Sequence, residues 1–278
     1  MADRIEAKVY INRMHTWHWH TWEGLPYLTC SLLDPWPHGF FTNHFWPQNP
    51  LDLTPVLHPI APFYRTRQVH GNVVLTPTEI GASAATLAFE DLPSADGLLT
   101  DQADQAVWVC TADCTPVLIG DAVTGQVAAV HAGWRGTATK IVLQAIARLQ
   151  DQGSQLSNLR VALGPAIAGE VYQVGKNVAM EVGATIAQPN ASENPETVLE
   201  ALYQLPQPPI LPDPHPERVR LDVRRVIALQ LDRLGLQPEQ ITIAPHCTFQ
   251  QPDYFFSYRR TQQKQVQWSG IVSRNAGF

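Results

Sequence analysis

The sequence predicts a single α/β domain built on a mixed β-sheet, and three observations lead to this prediction. Short apolar segments typical of buried strands alternate with amphipathic helical segments through much of the 278-residue chain. The composition, 45% hydrophobic and 16% charged, is that of a globular protein with a substantial core. No internal repeat and no linker-like segment divides the chain, which favours one domain over two.

The clearest strands lie in the middle of the chain. Ala106–Cys110, Cys114–Ile119 and Gln126–His131 are short apolar runs, and the turn-rich segment Gly120–Gly125 separates the last two. This spacing predicts a β-hairpin. Arg160–Leu163 is a further apolar run, and it predicts another strand that ends at Gly164-Pro165.

The predicted hairpin places a thiol beside an imidazole. If Ile119 pairs with Gln126 across the turn, Cys114 falls directly opposite His131. Opposed residues point to the same face of a sheet, with their Cβ atoms about 5 Å apart. We therefore expect Cys114 and His131 to lie within reach of each other, or of one shared ion.

One helix is predicted before the Arg160–Leu163 strand in the sequence, and two are predicted after it. Thr137–Leu149 carries its apolar residues on one helical face, and Lys176–Ala187 has a helical pattern. Asp222 is placed to cap a helix that runs to Leu234 and stops at Gly235. The remaining predicted strands are Ile241–Ala244, Phe255–Tyr258 and Val266–Val272.

Two segments are predicted to lie at the surface. Tryptophans alternate with histidines in His15–Trp22, which predicts a strand with a buried tryptophan face and solvent-facing histidines. Pro189–Pro216 is rich in proline and predicts a surface excursion rather than core. Residues 1–14 are predicted to be an extension, with Met14 as an alternative start, and residues 15–278 to form one catalytic domain.

Charge and cysteine usage argue against several classes of protein. The net charge is −6 and no basic stripe is visible, so we expect no nucleic-acid partner. No run of about 18 apolar residues is present, so no membrane span is expected. The four cysteines are scattered and do not resemble a disulfide framework. The expected location is the reducing cytoplasm, and the expected state is a monomer that acts on a small molecule.

His70 is the candidate third member of the Cys/His set, because it follows a predicted strand where functional side chains collect. One thiolate and two imidazoles suit zinc, and three protein ligands leave a fourth position open for catalysis. Two other interpretations stay open at this point. Cys114 could be a nucleophile with His131 as its base, or both could be structural residues of the core. Copper is the less favoured metal, because the sole His-X-His element, His18–His20, is far away in sequence.

The segment after His131 predicts an anion site. Ala132–Gly136 connects a strand to a helix, and its small residues allow a ligand to approach the backbone. The free N–H groups of the following helix point back at this connection. Arg135 adds a guanidinium that suits phosphate or carboxylate. The alternative is that the glycines serve only the turn and that Arg135 forms a surface ion pair.

Six motifs occur in an order that resembles the YfiH-type family, whose members have been labelled laccase-like polyphenol oxidoreductases, purine nucleoside phosphorylases and peptidoglycan editing factors. The resemblance covers the chain from about residue 38 to residue 260. The motifs are Gln68-Val69-His70-Gly71, Ala95-Asp96-Gly97-Leu98-Leu99-Thr100, Thr111-Ala112-Asp113-Cys114-Thr115-Pro116-Val117, His131-Ala132-Gly133-Trp134-Arg135-Gly136, Leu163-Gly164-Pro165-Ala166-Ile167 and Phe255-Phe256-Ser257-Tyr258-Arg259-Arg260.

The resemblance implies layered mixed sheets with helices outside, and a site of His70, Cys114 and His131 that is often loaded with zinc. It also implies cleavage of purine nucleosides by phosphate, with adenosine deamination in the same pocket. A copper oxidase and a cysteine hydrolase that edits peptidoglycan precursors remain the alternatives. The candidates for contact with the substrate are residues of the same motifs: Gln68, Asp96, Arg135, Ser257 and Arg259. Asp96 and Asp113 are also the first candidates for proton transfer.

The chain departs from the family pattern in two places. Asn43 stands after Phe-Phe-Thr where the family usually has Arg, and His44-Phe45-Trp46-Pro47 replaces an expected Gly-Gly stretch. Val171 precedes Tyr172 where the family often carries Cys. If the family's Arg helps to hold the substrate, Asn43 changes nucleoside affinity or specificity in this protein.

Overall fold

The computed structural model describes residues 15–81, 87–187 and 195–277, and these contain fifteen strands and eight α-helices. No helix within these ranges is long and apolar enough to cross a membrane. The strands are β1 Trp17–Trp22, β2 Leu25–Cys30, β3 His38–Phe41, β4 Phe63–Tyr64, β5 Val74–Leu75, β6 Gly97–Leu99, β7 Ala106–Thr111, β8 Thr115–Asp121, β9 Val127–Ala132, β10 Leu159–Leu163, β11 Gln173–Gly175, β12 Ile210–Pro212, β13 Arg218–Leu221, β14 Ile241–Ile243 and β15 Gln267–Val272. The helices are α1 Pro50–Leu57, α2 Pro77–Ile80, α3 Trp134–Ala138, α4 Ile141–Asp151, α5 Lys176–Gly183, α6 Pro195–Tyr203, α7 Val223–Leu234 and α8 Tyr258–Thr261.

Two six-stranded mixed sheets pack face to face, and helices cover their outer faces. The first sheet has the order β1-β2-β3-β15-β7-β4 and the second the order β14-β10-β8-β9-β6-β5. A third, three-stranded sheet has the order β11-β13-β12. Side chains from both large sheets, such as Phe40 and Leu118, form the core between them. The α/β class agrees with the prediction from the sequence pattern, and the layered mixed sheets agree with what the resemblance to the YfiH-type family implies.

Strand β9 shows why the central strands are apolar along their whole length. Val127 and Ala129 face the core between the sheets, whereas Ala128 and Val130 face the core that contains α4. A strand that is covered on both faces carries no polar alternation. His131 continues the face of Val127 and Ala129, so its side chain projects at the end of the space between the two sheets.

The predicted hairpin forms, but its register is shifted by two residues. Ile119 pairs with Ala128, so His131 lies opposite Pro116 and not opposite Cys114. Strand β8 is longer than predicted because the Asp121 carboxylate accepts hydrogen bonds from the next turn, from Val123 N (2.8 Å) and Thr124 N (3.0 Å). A shift of two residues preserves the face of a strand. Cys114 and His131 therefore stay on the same side of the sheet, on a diagonal.

The predicted helix over Thr137–Leu149 is in fact two helices. Lys140 adopts a left-handed conformation with φ of 60°, which ends α3 and starts α4 in a new direction. α3 therefore has only five residues. The helix-dipole part of the predicted anion site is weak as a result, because a single short turn sums few peptide dipoles.

The helix over Val223–Leu234 is confirmed in detail. Asp222 accepts a hydrogen bond from Arg225 N at 3.0 Å, and Gly235 ends the helix with φ of 108°.

The prediction of a strand over Phe255–Tyr258 is wrong, because α8 begins at Tyr258 and the preceding residues lie outside any strand.

Two surface predictions also need correction. The segment around Pro189–Pro216 is not a mere excursion, because Val198, Leu202 and Ile210 pack into the main core. The tryptophan face of β1 is only partly buried, since Trp17 packs against the core between the sheets whereas Trp19 is 42% exposed. The histidines His18 and His20 are exposed, as predicted. β1 lies at the edge of its sheet. The predicted extension over residues 1–14 lies outside the described residues.

Candidate metal centre and active site

His70, Cys114 and His131 come together at one end of the space between the large sheets. Their donor atoms lie within 4.8 Å of one another. His131 is buried in β9, Cys114 directly precedes β8, and His70 is exposed on the connection between β4 and β5. In the described part of the chain, this is the one group of three or more His, Cys, Asp or Glu side chains that are close enough to share an ion.

Asp96 fixes the orientation of His131. The Asp96 carboxylate is completely buried, and its Oδ1 lies 2.8 Å from Nδ1 of His131. A carboxylate only accepts hydrogen bonds, so Nδ1 carries a proton, and Nε2 is the nitrogen available to a metal once its own proton is displaced. A carboxylate behind a histidine in this way is the usual outer partner of a metal-binding imidazole.

The same carboxylate organises the loop that carries His70. It accepts hydrogen bonds from three consecutive backbone amides, Val69 N (3.1 Å), His70 N (2.9 Å) and Gly71 N (2.7 Å). Amides that converge on one anion require a nest-like backbone, and His70 accordingly has a φ of 61°. Asp96 thus positions two of the three members of the site. Hydrogen bonds from His131 and these amides outweigh the effect of burial, so the pKa of Asp96 is below its usual value.

The two cysteines of this region have opposite electrostatics. Burial raises the pKa of the Cys110 thiol to about 12. Burial also raises the pKa of Cys114, but the charge of His131 and hydrogen bonds from both histidines outweigh it, and the pKa falls to about 6. The two histidines therefore favour the thiolate form of Cys114, whereas burial favours the thiol form of Cys110. The thiolate is the form that binds metals and attacks electrophiles.

His131 shows the other half of this coupling. Burial lowers its pKa, but the Cys114 thiolate and the Asp96 carboxylate act in the opposite direction and raise it to about 9. Without a bound cation, this coupling favours a thiolate on Cys114 and an imidazolium on His131. A divalent cation at the same place would take over the role of the imidazole proton.

Gly133 makes room for the site. A Cβ atom built at this position would lie 2.8 Å from Cys114 Sγ and 3.4 Å from Cδ2 of His70. The first distance is shorter than van der Waals contact allows, so any side chain here displaces the thiol. Gly71, in the neighbouring motif, differs because its Cβ would meet nothing closer than the Asp96 carboxylate at 3.6 Å.

We predict that Gly133→Ala disrupts the site and that Gly71→Ala does not. Overpacking at Gly133 should cost about 1–3 kcal/mol of stability and lower metal affinity, because the thiol has to move. Chemical denaturation and metal titration of both variants test this expectation. Equal metal affinity in the two variants would show that the thiol has room to move and that Gly133 has no special role.

The donor set fits a single divalent ion. A tetrahedral zinc with usual bond lengths separates its ligand atoms by about 3.3–3.8 Å, so the three donors need only a small closing movement. A thiolate, an oriented imidazole and a second imidazole are the donor types that zinc prefers. The described residues do not hold the several histidine groups that a multicopper oxidase requires.

Gln68 and Ser257, two of the predicted substrate contacts, have partners within the protein. The Gln68 side chain donates to Cys110 O at 2.7 Å and accepts from Cys110 N at 2.8 Å, as a neighbouring strand would. Ser257 is buried and caps α8 by accepting from Arg260 N at 3.2 Å. Their contact with substrate stays a prediction. In the structure, Gln68 is bound to the backbone of β7 and Ser257 to that of α8.

Arg135 and Arg259, two other predicted contacts, lie over aromatic rings. The guanidinium carbon of Arg135 is 4.4 Å from the centre of the Trp134 ring. That of Arg259 is 4.8 Å from the centre of the Tyr172 ring. Both rings line a small pocket beside Cys114, which Gly133 and Ile167 complete.

Sequence reasoning did not assign two contributions to the site. Asp113, a candidate for proton transfer, has φ of 92° and accepts from the Thr248 hydroxyl (2.7 Å) and from Arg259 N (2.7 Å). It therefore ties the Cys114 loop to α8. Tyr172 was noted only as the residue after Val171, yet its ring forms a wall of the Cys114 pocket. Neither role has a local sequence signal, because the partners are distant along the chain.

The family model described as multi-copper polyphenol oxidoreductase laccase matches residues 53–274. The chain belongs to this family, which is the YfiH-type family that the motifs indicated.

Relatives and solved structures agree with this membership. The chain is 54% identical, over 92% of its length and 97% of the relative, to a protein of Synechocystis sp. named purine nucleoside phosphorylase slr1573. It is 30% identical, over 76% of its length and 70% of the relative, to a Corynebacterium glutamicum protein named purine nucleoside phosphorylase Cgl2154/cg2365. The crystal structure of YlmD from Geobacillus stearothermophilus has the same fold, with a TM-score of 0.73, 23% identity and coverage of 92% of this chain and 99% of that one.

Proposed function

We propose that this protein is a purine nucleoside phosphorylase that works at a zinc site formed by His70, Cys114 and His131. The observation that carries the proposal is the juxtaposition of this open three-donor site with a small pocket lined by Trp134 and Tyr172, two rings that each carry a stacked arginine. The names of the relatives support purine nucleosides as the substrate class. The acidic net charge is compatible with a small-molecule substrate.

Phosphorolysis replaces the bond between the anomeric carbon and the purine nitrogen by a bond to a phosphate oxygen. The purine leaves with the electron pair and takes up one proton, and the products are the free base and the pentose 1-phosphate. The protein must hold a dianion beside an electron-poor sugar carbon and exclude competing water. The two arginines provide positive charge for the dianion.

The chain's own residues then have distinct tasks. Zinc held by the three donors would supply Lewis acidity to an oxygen of the substrate. Asp96 keeps the His131 proton on Nδ1 and holds the His70 loop, so we propose that it acts by positioning. Asp113 acts in the same way on α8. Every oxygen of the two carboxylates already accepts a hydrogen bond from a group of the protein. This argues against either carboxylate as the source of the proton that the purine takes up.

The test is an assay of the purified protein with adenosine, inosine and guanosine, with and without inorganic phosphate. We expect free base and pentose 1-phosphate only when phosphate is present. Adenosine deamination in the same pocket would appear as inosine or hypoxanthine formed without any need for phosphate. Release of base without phosphate, or no turnover of any nucleoside, would contradict the proposal.

One observation favours a second candidate, a cysteine hydrolase. A thiolate beside an imidazolium oriented by a carboxylate is the arrangement of a cysteine nucleophile. Amide bonds, including those of peptidoglycan precursors, are the corresponding substrate class. The fate of metal and activity in Cys114 variants separates the two candidates. The predicted cytoplasmic location and monomeric state belong with either function.

A further inference from the structure

Strand β1 has a free edge that differs from the other sheet edges of this protein. It has six residues, whereas the other edge strands within the described ranges, β4, β5, β11, β12 and β14, have two or three. The segment Trp17–Trp22 contains no Asp, Glu, Lys, Arg or Pro. Proteins usually keep an exposed edge short or place charges or proline on it, so β1 lacks these common protections against pairing with another strand.

The pairing of β1 with β2 determines which backbone groups point to the free edge. In an antiparallel pair, every second residue exchanges hydrogen bonds with its partner strand, and the residues between them point away. Ser31 N donates to Thr16 O at 2.9 Å, and Pro26, opposite Thr21, has no N–H to donate. Trp17, Trp19 and Thr21 therefore direct their N–H and C=O groups away from β2. No other strand of the described chain pairs with them.

The side chains along this edge are aromatic and only partly covered. The Trp19 ring is exposed, although it packs against Tyr254 and His246 at centroid distances of 4.7 and 5.2 Å. An open cavity of 510 Å³ lies beside the edge and is lined by Trp19, His20, Thr21, Pro26 and Tyr254. The edge therefore combines unpaired backbone groups, an incompletely buried indole and space for further side chains, which together suit the addition of a strand.

The free edge is complementary to a second copy of itself. A two-fold axis at Trp19 places this residue opposite Trp19 of the partner subunit, and Thr21 opposite Trp17 of the partner subunit. Each facing pair can then exchange both of its backbone hydrogen bonds, and any other two-fold register leaves at least one outward-facing residue unpaired. The two Trp19 side chains become neighbours on one face, where cross-strand aromatic pairs are stabilising. Neither strand carries a Lys, Arg, Asp or Glu that would oppose the other.

We propose that the protein forms a symmetric dimer in which the β1 strands of two copies pair antiparallel, so that the first sheets of both copies become one continuous sheet. The dimer takes the place of the monomer that the sequence alone led us to expect. Strands β2, β3 and β15 separate β1 from β7, which leads to Cys114. This is about 19 Å at the usual spacing of strands, so the proposal does not depend on the proposed function.

The experiment is analytical ultracentrifugation of the full chain over a range of concentrations, where we expect twice the mass of one chain. Trp19→Lys should raise the dissociation constant of the dimer about tenfold or more, because two like charges replace an aromatic pair at the two-fold axis. Trp19→Glu should do the same. An equal mixture of the two variants should dimerise again, because opposite charges then face each other.

Leu211→Lys is the matched control for the charge introduced at Trp19. Leu211 is an exposed apolar residue of β12, another edge strand, and its variant should dimerise as the wild type does. Circular dichroism should show the same secondary structure in all of these variants, since both positions are exposed.

Thr21→Pro tests the backbone part of the contact. A proline at this outward-facing position removes an N–H of the free edge and no hydrogen bond between β1 and β2, so the variant should fold and remain monomeric. Hydrogen exchange gives a second measurement. The amides of Trp19 and Thr21 should exchange slowly in the wild-type dimer and rapidly in Trp19→Lys.

Two results would overturn the proposal. The first is a wild-type chain that stays monomeric at every concentration, which includes the case in which an extended segment of a different protein is the partner of β1. The second is a dimer that persists in Trp19→Lys and Thr21→Pro, or one in which the amides of Trp19 and Thr21 exchange rapidly, because the contact would then lie elsewhere on the surface.

Discussion

Cys114→Ser should lose its metal and its activity together, whereas Cys110→Ser should keep both. A neutral hydroxyl is a much weaker ligand than a thiolate, and Cys114 is the group whose pKa the two histidines lower to about 6. We expect a loss of zinc affinity larger than the 10–100-fold that is typical for removal of an outer partner. Metal content and activity per folded molecule are the measurements.

Cys110→Ser is the internal control for this experiment. Cys110 lies four positions away, it packs against the core of the first sheet, and burial keeps it a thiol. A buried hydroxyl in its place should cost about 1–3 kcal/mol of stability and little catalysis. If Cys114→Ser abolishes activity but retains a full complement of metal, Cys114 is a nucleophile and the cysteine hydrolase is the better description. Loss of activity in Cys110→Ser alone would contradict the site as a whole.

Asp96→Asn should damage stability and metal binding at the same time. The substitution removes a buried charge that accepts from His131 and from three backbone amides, and it turns one acceptor oxygen into a donor. We expect a loss of about 3–5 kcal/mol in the free energy of unfolding, which is typical of a broken buried pair. Metal affinity should fall about 10–100-fold, because both histidines lose their orientation.

Asp121→Asn is a matched control for Asp96→Asn. Asp121 is also completely buried and also accepts from two backbone amides, but it lies at the opposite end of β8 from Cys114. Its variant should lose stability and keep the metal affinity of the wild type. Unchanged metal affinity in Asp96→Asn would mean that the histidines hold their geometry without this carboxylate.

The members of the site were predictable from sequence, but their organisation was not. Motifs place His70, Cys114 and His131 at strand ends, and the structure brings all three together. Asp96 was expected to transfer protons, yet it is a buried anchor. Nothing local reveals this role, since it contacts His131 across 35 positions and Gly71 across 25.

In the fold, too, the elements set by local sequence were predicted, and the features set by contacts beyond them were not. Apolar runs predicted the central strands, and Asp222 predicted the start of α7. Both signals lie within the segment that they predict. The hairpin register was wrong by two residues, because the Asp121 side chain builds the turn and lengthens β8. The tryptophans of β1 were assigned to a buried face because the alternating pattern does not tell an edge strand from a central one.

The most direct test of the account is X-ray absorption spectroscopy of the purified protein, combined with elemental analysis. We expect about one zinc per chain, with one sulfur and two imidazole nitrogens in its coordination shell and a lighter atom in the fourth position. The sulfur contribution should disappear in Cys114→Ser. A fully active protein without metal, or a bound metal without a sulfur ligand, would contradict the assignment of His70, Cys114 and His131 as the metal site.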